Sequence, residues 1–322
     1  MDASQVAARY LRFADEEAHG RSPLYEEIAR GIADDREVLG FLLALPPGKQ
    51  QPNLLLAAVR HLFGTPVDWK GFRAMLLANR DAVAALMQSR STQTNEPARC
   101  AVLLPLLQQL PQPLALIEVG ASAGLCLLPD RYGYDYGRAT LPGEPTFRCA
   151  VNAATPIAAL LPQIAWRAGL DLNPIDLSNG GEVAWLETLV WPEQTERLAH
   201  LRAAIKVAAA IRPRIVRGDL LGDGLARLCS EAPKDATLVI FHSAVLAYVS
   251  EPDVRRAFGR RAMQHGTWIS NEFPGVFSEI AKRAPARGPA GHFLLAMNGA
   301  PVAWTDPHGA ALHWIAADGA TA

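Results

Sequence analysis

This chain has no excess of either charge, no long apolar run and few cysteines. Lys and Arg number 31 against 32 Asp and Glu, a formal net charge of −1. No field of one sign is available to draw it onto a nucleic-acid backbone or an anionic membrane, so neither is expected as a partner. No uninterrupted apolar stretch reaches the ~20 residues that span a bilayer, and Met1-Asp2-Ala3-Ser4 is not a basic segment leading into an apolar one. The expectation is a cytoplasmic protein. Cys100, Cys126, Cys149 and Cys229 are scattered, with no C-x-x-C and no histidine at zinc-site spacing, so free thiols and no metal are expected. What remains is a globular composition, 50% hydrophobic and 20% charged over 322 residues, with room for two domains. A small-molecule substrate suits this charge balance.

The chain is organised around residues 114–128, LALIEVGASAGLCLL. An apolar run closes in Glu118, small residues follow (Gly120, Ala121, Ser122, Ala123, Gly124), and apolar residues then return at helical density. This pattern predicts strand, tight turn and helix. Glycines at such a turn take positive φ and let a ligand approach the main chain, while a helix start offers unpaired N–H groups. The same letters fit two site readings. Glu118-x-Gly120-x-Ser122-x-Gly124 is a variant of the glycine-rich loop of doubly wound folds, which makes Glu118, Gly120, Ser122 and Gly124 cofactor-binding candidates. Gly120-x-Ser122-x-Gly124 also fits a nucleophile elbow, with Ser122 as a hydrolase nucleophile.

Before this stretch, residues 6–112 show helical spacing and almost no strand, with Ser22-Pro23 and Pro46-Pro47-Gly48 as punctuation. The polar residues 93–98, ending Glu96-Pro97, place a domain boundary near residue 95: a helical N-terminal region 1–95 and an α/β domain 96–322. After the glycine turn, residues 130–137, 147–152 and 164–172 read as extended. A carboxylate ending the strand after the glycine loop can accept two hydrogen bonds from a ribose diol. Asp171 and Asp135 are the candidates: Asp135 lies at nearly the usual separation, while the Asn173-Pro174 stop marks Asp171 as a strand end.

Residues 182–207 read as helix broken at Trp191-Pro192. Trp185 and Trp191 are core or lid residues, or stack on a purine. Residues 215–219 form a strand ending at Asp219, which can take an adenine amino group or cap a helix. The strand 237–241 is a continuous apolar run ending at His242-Ser243, and strand 268–272 ends at Asn271-Glu272. Because such folds keep their chemistry at the carboxyl ends of parallel strands, His242 draws more attention than any other of the eight histidines. His242 and Glu272 are the catalytic candidates, with His242 as general base. Arginines on residues 253–264 read as a solvated face, and Asn298-Gly299 with Asp306-Pro307-His308-Gly309 joins a closing antiparallel meander.

Alternating strands and helices predict a doubly wound, mainly parallel sheet with an antiparallel C-terminal hairpin. All the strands follow the helical region and no HGGG-like segment exists, which weakens the elbow reading. The order resembles the class I S-adenosylmethionine-dependent methyltransferases, a Rossmann-like fold. Gln51-Pro52-Asn53-Leu54-Leu55, Glu118-Val119-Gly120-Ala121-Ser122-Ala123-Gly124-Leu125, Asp171-Leu172-Asn173-Pro174, Trp191-Pro192-Glu193, Arg217-Gly218-Asp219, Phe241-His242-Ser243 and Asp306-Pro307-His308-Gly309 together resemble an uncharacterised bacterial family, domain of unknown function 2332. The resemblance spans nearly the whole chain. It implies a methyltransferase-like domain using S-adenosylmethionine, with Glu118, Gly120 and Gly124 matching the loop and Ser122 replacing its middle glycine. No Asn-Pro-Pro-Tyr motif stands where Phe241-His242-Ser243 does, so base methylation is not indicated. The expectation is methyl transfer to a small-molecule oxygen or nitrogen acceptor; a non-catalytic adenosyl-ligand protein and a serine hydrolase using Ser122 are the alternatives.

Overall fold

A computed structural model describes residues 2–93 and 95–315. The chain divides into two compact units, Met1–Thr94 with Asn179–Ala199 and Asn95–Ser178 with His200–Ala322. The sequence reading has a single boundary near residue 95. In the structure the Asn179–Ala199 segment groups with the N-terminal helices instead of with the sheet.

In the first unit, helices Ala3–Arg12, Pro23–Asp34, Arg36–Leu43, Pro52–Phe63, Trp69–Ala78, Arg80–Ser89 and Gly180–Thr188 bury one apolar cluster that includes Tyr10, Ile28, Ile32, Leu42, Leu55 and Trp185. Their starts are written in the chain. Asp2 and Gln5 form a capping box, Ser22 caps a helix whose first residue is Pro23, and Asp35 and Asp68 accept N–H groups of the turns they precede. Trp191 stands edge-on to Phe13 and Tyr25, and its indole N–H donates to Asn53 Oδ1 at 2.9 Å. Both candidate purine-stacking tryptophans thus pack inside this unit.

The second unit contributes β1 (Leu114–Val119), β2 (Gly133–Asp135), β3 (Thr140–Leu141), β4 (Thr146–Arg148), β5 (Ala150–Val151), β6 (Ile164–Asp171), β7 (Arg214–Arg217), β8 (Thr237–Ser243), β9 (Thr267–Glu272), β10 (Phe293–Met297), β11 (Ala300–Thr305) and β12 (Ala311–Trp314). Nine of them form one mostly parallel sheet in the order β5-β12-β11-β10-β9-β8-β1-β6-β7, and β3-β2-β4 form a small second sheet. The fold is mixed α/β, with the strands from β7 to β9 parallel and an antiparallel meander beyond β9. Every residue of β1 is buried, the apolar run 114–117 as a strand covered on both faces requires and the charged Glu118 with it. Asn298 and Gly299 both take positive φ in the hairpin between β10 and β11. Because β11 follows two reversals from β9, its carboxyl end lies on the same edge as those of β1, β6, β8 and β9.

One expectation fails directly after β1. No α-helix follows the glycine turn; residues Leu125–Leu127 make a single 3₁₀ turn, entered through left-handed Gly124. Residues 121–129 are all buried. The apolar density there reflects burial on every side, not the one-sided stripe of a surface helix, and Pro129 closes the segment. Among the described residues no helix is long and apolar enough to cross a membrane.

Candidate functional site

From β1 the chain crosses to β6 and β7 on one side, then returns to lay β8 on the other. Strand order therefore reverses at β1, and doubly wound sheets bind ligands outside the carboxyl ends at that point. Glu118 stands there, 6% exposed. Its carboxylate has no hydrogen-bond partner among the described residues, and Oε2 is sealed from solvent. Burial, then the Cys126 thiol and Asp171, push its carboxyl well above the usual range, against the opposing pull of the Arg99 guanidinium. A buried carboxylate left without donors is destabilising as an anion, so the site favours its protonated form.

The turn itself is tightly built. Ser122 N–H donates to Asp171 Oδ2 at 2.8 Å, Asn173 N–H donates to Asp171 Oδ1 at 2.7 Å, and Asn95 clasps the turn by donating to Ser122 Oγ and accepting from Ala123 N–H. The glycines serve packing more than open access. A Cβ on Gly120 (φ 76°) would overlap the Val245 side chain, and one on Gly124 would press on Ile215 and Pro213. Ser122 has φ 49°, the strained backbone an elbow would have, yet no imidazole contacts its Oγ among the described residues.

Asp171 ends β6, the strand beside β1, whereas Asp135 sits in the small sheet bonded to Gly137 N–H and Arg148. Asp219 lies two positions past the Arg217 that pairs with Asp171, and its Oδ1 accepts the Leu221 N–H. The structure so brings Glu118, Ser122 and Asp171 together, with Asp219 at the next strand end. It does not bring His242 to them as an accessible base. His242 is 0% exposed, its Nδ1 donates to Glu272 Oε1 at 2.7 Å, and its Nε2 accepts the Trp268 indole N–H at 3.0 Å. Glu272 Oε1 also takes the N–H groups of Val245 and Leu246, while Oε2 is buried without a partner. With both ring nitrogens engaged inside the core, His242 ties β8, β9 and the loop after β8 together; it has no lone pair to offer a substrate.

Other residues at this edge were not singled out from the sequence. Arg99 is buried, donates from Nε to Pro307 O at 2.9 Å and from Nη1 to Ser243 O at 3.1 Å, and has no carboxylate partner among the described residues. Thr305 donates to Asn271 Oδ1 and Asn271 donates to Ser243 Oγ, which leaves the Ser243 proton to point elsewhere. Glu96, read as linker, is 3% exposed and meets His308 Nδ1 at 3.2 Å. The Asp306-Pro307-His308-Gly309 turn was the available signal, since a glycine after a histidine in a tight turn marks a fixed loop. Among the described residues no cluster of three metal-ligating side chains occurs.

The chain belongs to the bacterial family described as "Uncharacterized protein conserved in bacteria (DUF2332)", which matches residues 7–314. No curated protein and no solved structure matches it.

Proposed function

We propose that the protein binds S-adenosylmethionine at the carboxyl edge of its second unit, a methyltransferase-like Rossmann domain, and methylates a small-molecule acceptor. The observation that carries this reading is Glu118, a buried carboxylate with no donor among the described residues at the point where strand order reverses. Two further acids, Asp171 and Asp219, follow at the ends of the next two strands. Glu118 would accept the ligand's ammonium group, Asp171 its ribose hydroxyls through lone pairs the backbone leaves free, and Asp219 the adenine amino group. Bound S-adenosylmethionine supplies an electrophilic methyl group. The chain's task is to orient an acceptor in line with it and exclude water. His242 and Glu272 act in this reading by fixing the loop that carries Val245, not by moving a proton.

The enclosure of His242 favours a second reading, adenosyl-ligand binding without turnover. Ser122, held by Asn95 with no imidazole on its Oγ among the described residues, lacks the base the hydrolase reading needs. Calorimetry with S-adenosylmethionine and S-adenosylhomocysteine tests the proposal. Saturable heat from both supports it, and no heat at millimolar ligand removes it. Binding with no methyl transfer to any hydroxyl or amine acceptor leaves the second reading.

A further inference from the structure

The edge that loses His242 as a base holds another imidazole. His308 follows β11 in the turn Asp306-Pro307-His308-Gly309, and its side chain is 39% exposed. The turn is fixed from several directions. Asp306 Oδ1 accepts the N–H groups of His308 and Ala310, Arg99 Nε–H donates to Pro307 O, and Gly309 (φ 83°) packs so closely on the Ala98 backbone that no Cβ would fit. Such anchoring presents the ring in one place. Its Nδ1 lies 3.2 Å from Glu96 Oε2, a carboxylate 3% exposed, and its Nε2 has no partner among the described residues. A carboxylate on Nδ1 selects the tautomer with the proton there and leaves the Nε2 lone pair unengaged, the arrangement of an oriented base.

Glu96 also connects the pair to the glycine turn. Its carbonyl accepts the Cys126 thiol at 3.4 Å, and Cys126 belongs to the 3₁₀ turn after Gly124. Arg99, one helical turn on, reaches both Pro307 beside His308 and Ser243 at the end of β8. The histidine, the turn after β1 and the end of β8 are thus held to one another by direct hydrogen bonds.

We propose that His308 is the general base of this edge, with Nε2 receiving the proton of a hydroxyl or amine acceptor and Glu96 as the positioning residue on Nδ1. The inference rests on the methyl-transfer reading. In the step, the acceptor's lone pair forms the bond to the methyl carbon as the carbon–sulfur bond breaks, with that bond's electron pair staying on sulfur. The acceptor's proton passes to His308 Nε2 and then to water, so a neutral thioether and a methylated acceptor remain. Glu96 stabilises the imidazolium formed in between.

The test uses the full chain with S-adenosylmethionine and a panel of small phenols and amines, read by S-adenosylhomocysteine release. Calorimetric binding of S-adenosylhomocysteine and long-range proton–nitrogen spectra of the imidazoles accompany it. Neutral His308 is expected as the Nδ1–H tautomer with a bare Nε2, and Glu96→Gln is expected to mix the tautomers. His308→Gln and His308→Asn should lower kcat by about 100-fold or more while S-adenosylhomocysteine affinity stays within about twofold, a split that simple loss of structure would not give. Unchanged kcat in those variants, a protonated Nε2 in neutral His308, or ligand binding with no turnover on the panel would each overturn the assignment. If the wild type binds no adenosyl ligand, the methyl-transfer reading fails instead, and the tautomer alone decides whether the Glu96–His308 pair is built as described.

Discussion

His242 with Glu272 and His308 with Glu96 place the same two side chains in opposite settings. In the first pair every hydrogen-bonding position of the ring is taken, by Glu272 and by Trp268, and Glu272 Oε1 gathers three donors. In the second pair only Nδ1 is engaged and the ring reaches solvent. The type and strand-end position of a residue therefore do not settle its role. What its neighbours leave unsatisfied does. A ring with both nitrogens used contributes to stability, and a ring with one nitrogen free can exchange a proton.

That contrast can be broken by substitution. His242→Ala removes a fully enclosed ring with both nitrogens engaged and should cost about 3–5 kcal/mol in urea unfolding, whereas His308→Ala removes a ring that already reaches solvent, leaving water to replace it on the buried Glu96, and should cost less, about 1–3 kcal/mol. Similar losses at the two positions would show that the pairs are not different in kind. Next in size is Gly120→Ala, which forces a Cβ into Val245 at positive φ and should cost about 2–4 kcal/mol. In a Val245→Ala background the overpacking part should return and the backbone part remain; thermal melts of the four proteins in the cycle measure this.

Glu118 sharpens the comparison between completed and uncompleted groups through pH. Its folded carboxyl is held well above the ordinary value by burial, so above about pH 4.3 the folded state binds a proton that the unfolded state has released. Stability from this group is then fully present below the unfolded pKa and is lost as pH rises toward the folded one. Glu118→Gln should accordingly gain stability over wild type as pH is raised above the unfolded value, by at most about 1.4 kcal/mol per pH unit until the folded carboxyl ionises. Parallel stability curves for the two proteins would mean that Glu118 finds a donor. The smallest effect is expected at Ser122→Ala, which loses the Asn95 hydrogen bond at about 1 kcal/mol; wild type and variant alike are expected to escape fluorophosphonate labelling. Labelling of Ser122 would restore the hydrolase reading.

Much of the sheet was legible in the sequence because it is local. β1 and β8 are built on continuous apolar runs, 114–117 and 238–241, that suit strands covered on both faces, and Asn298-Gly299 names its own hairpin. The missing helix after Gly120 was not legible, since apolar letters buried on all sides look like a helical stripe. Nor was the grouping of Trp185 and Trp191 with the first helices, which rests on contacts such as Trp191 with Asn53 between distant segments. Glu118 and Asp171 could be named from the loop pattern. His308 could be noticed only as part of the Asp306-Pro307-His308-Gly309 turn, and its pairing with Glu96 could not, because it joins positions 212 residues apart. His242 stood at the expected strand end, but nothing in Phe241-His242-Ser243 announces that Trp268 and Glu272 will close around it.

At the carboxyl edge of the second unit the Glu118 carboxylate has no hydrogen-bond partner among the described residues, and we propose that an adenosyl ligand completes it. Calorimetric titration of wild type and Glu118→Gln with S-adenosylhomocysteine at pH 7, in buffers of different ionisation enthalpy, measures this directly. Completion by an ammonium group would ionise Glu118, so the account predicts saturable binding to wild type with release of up to about one proton, and weaker binding without that release in Glu118→Gln. No binding to wild type, or equal affinity and equal proton release in both proteins, would contradict it.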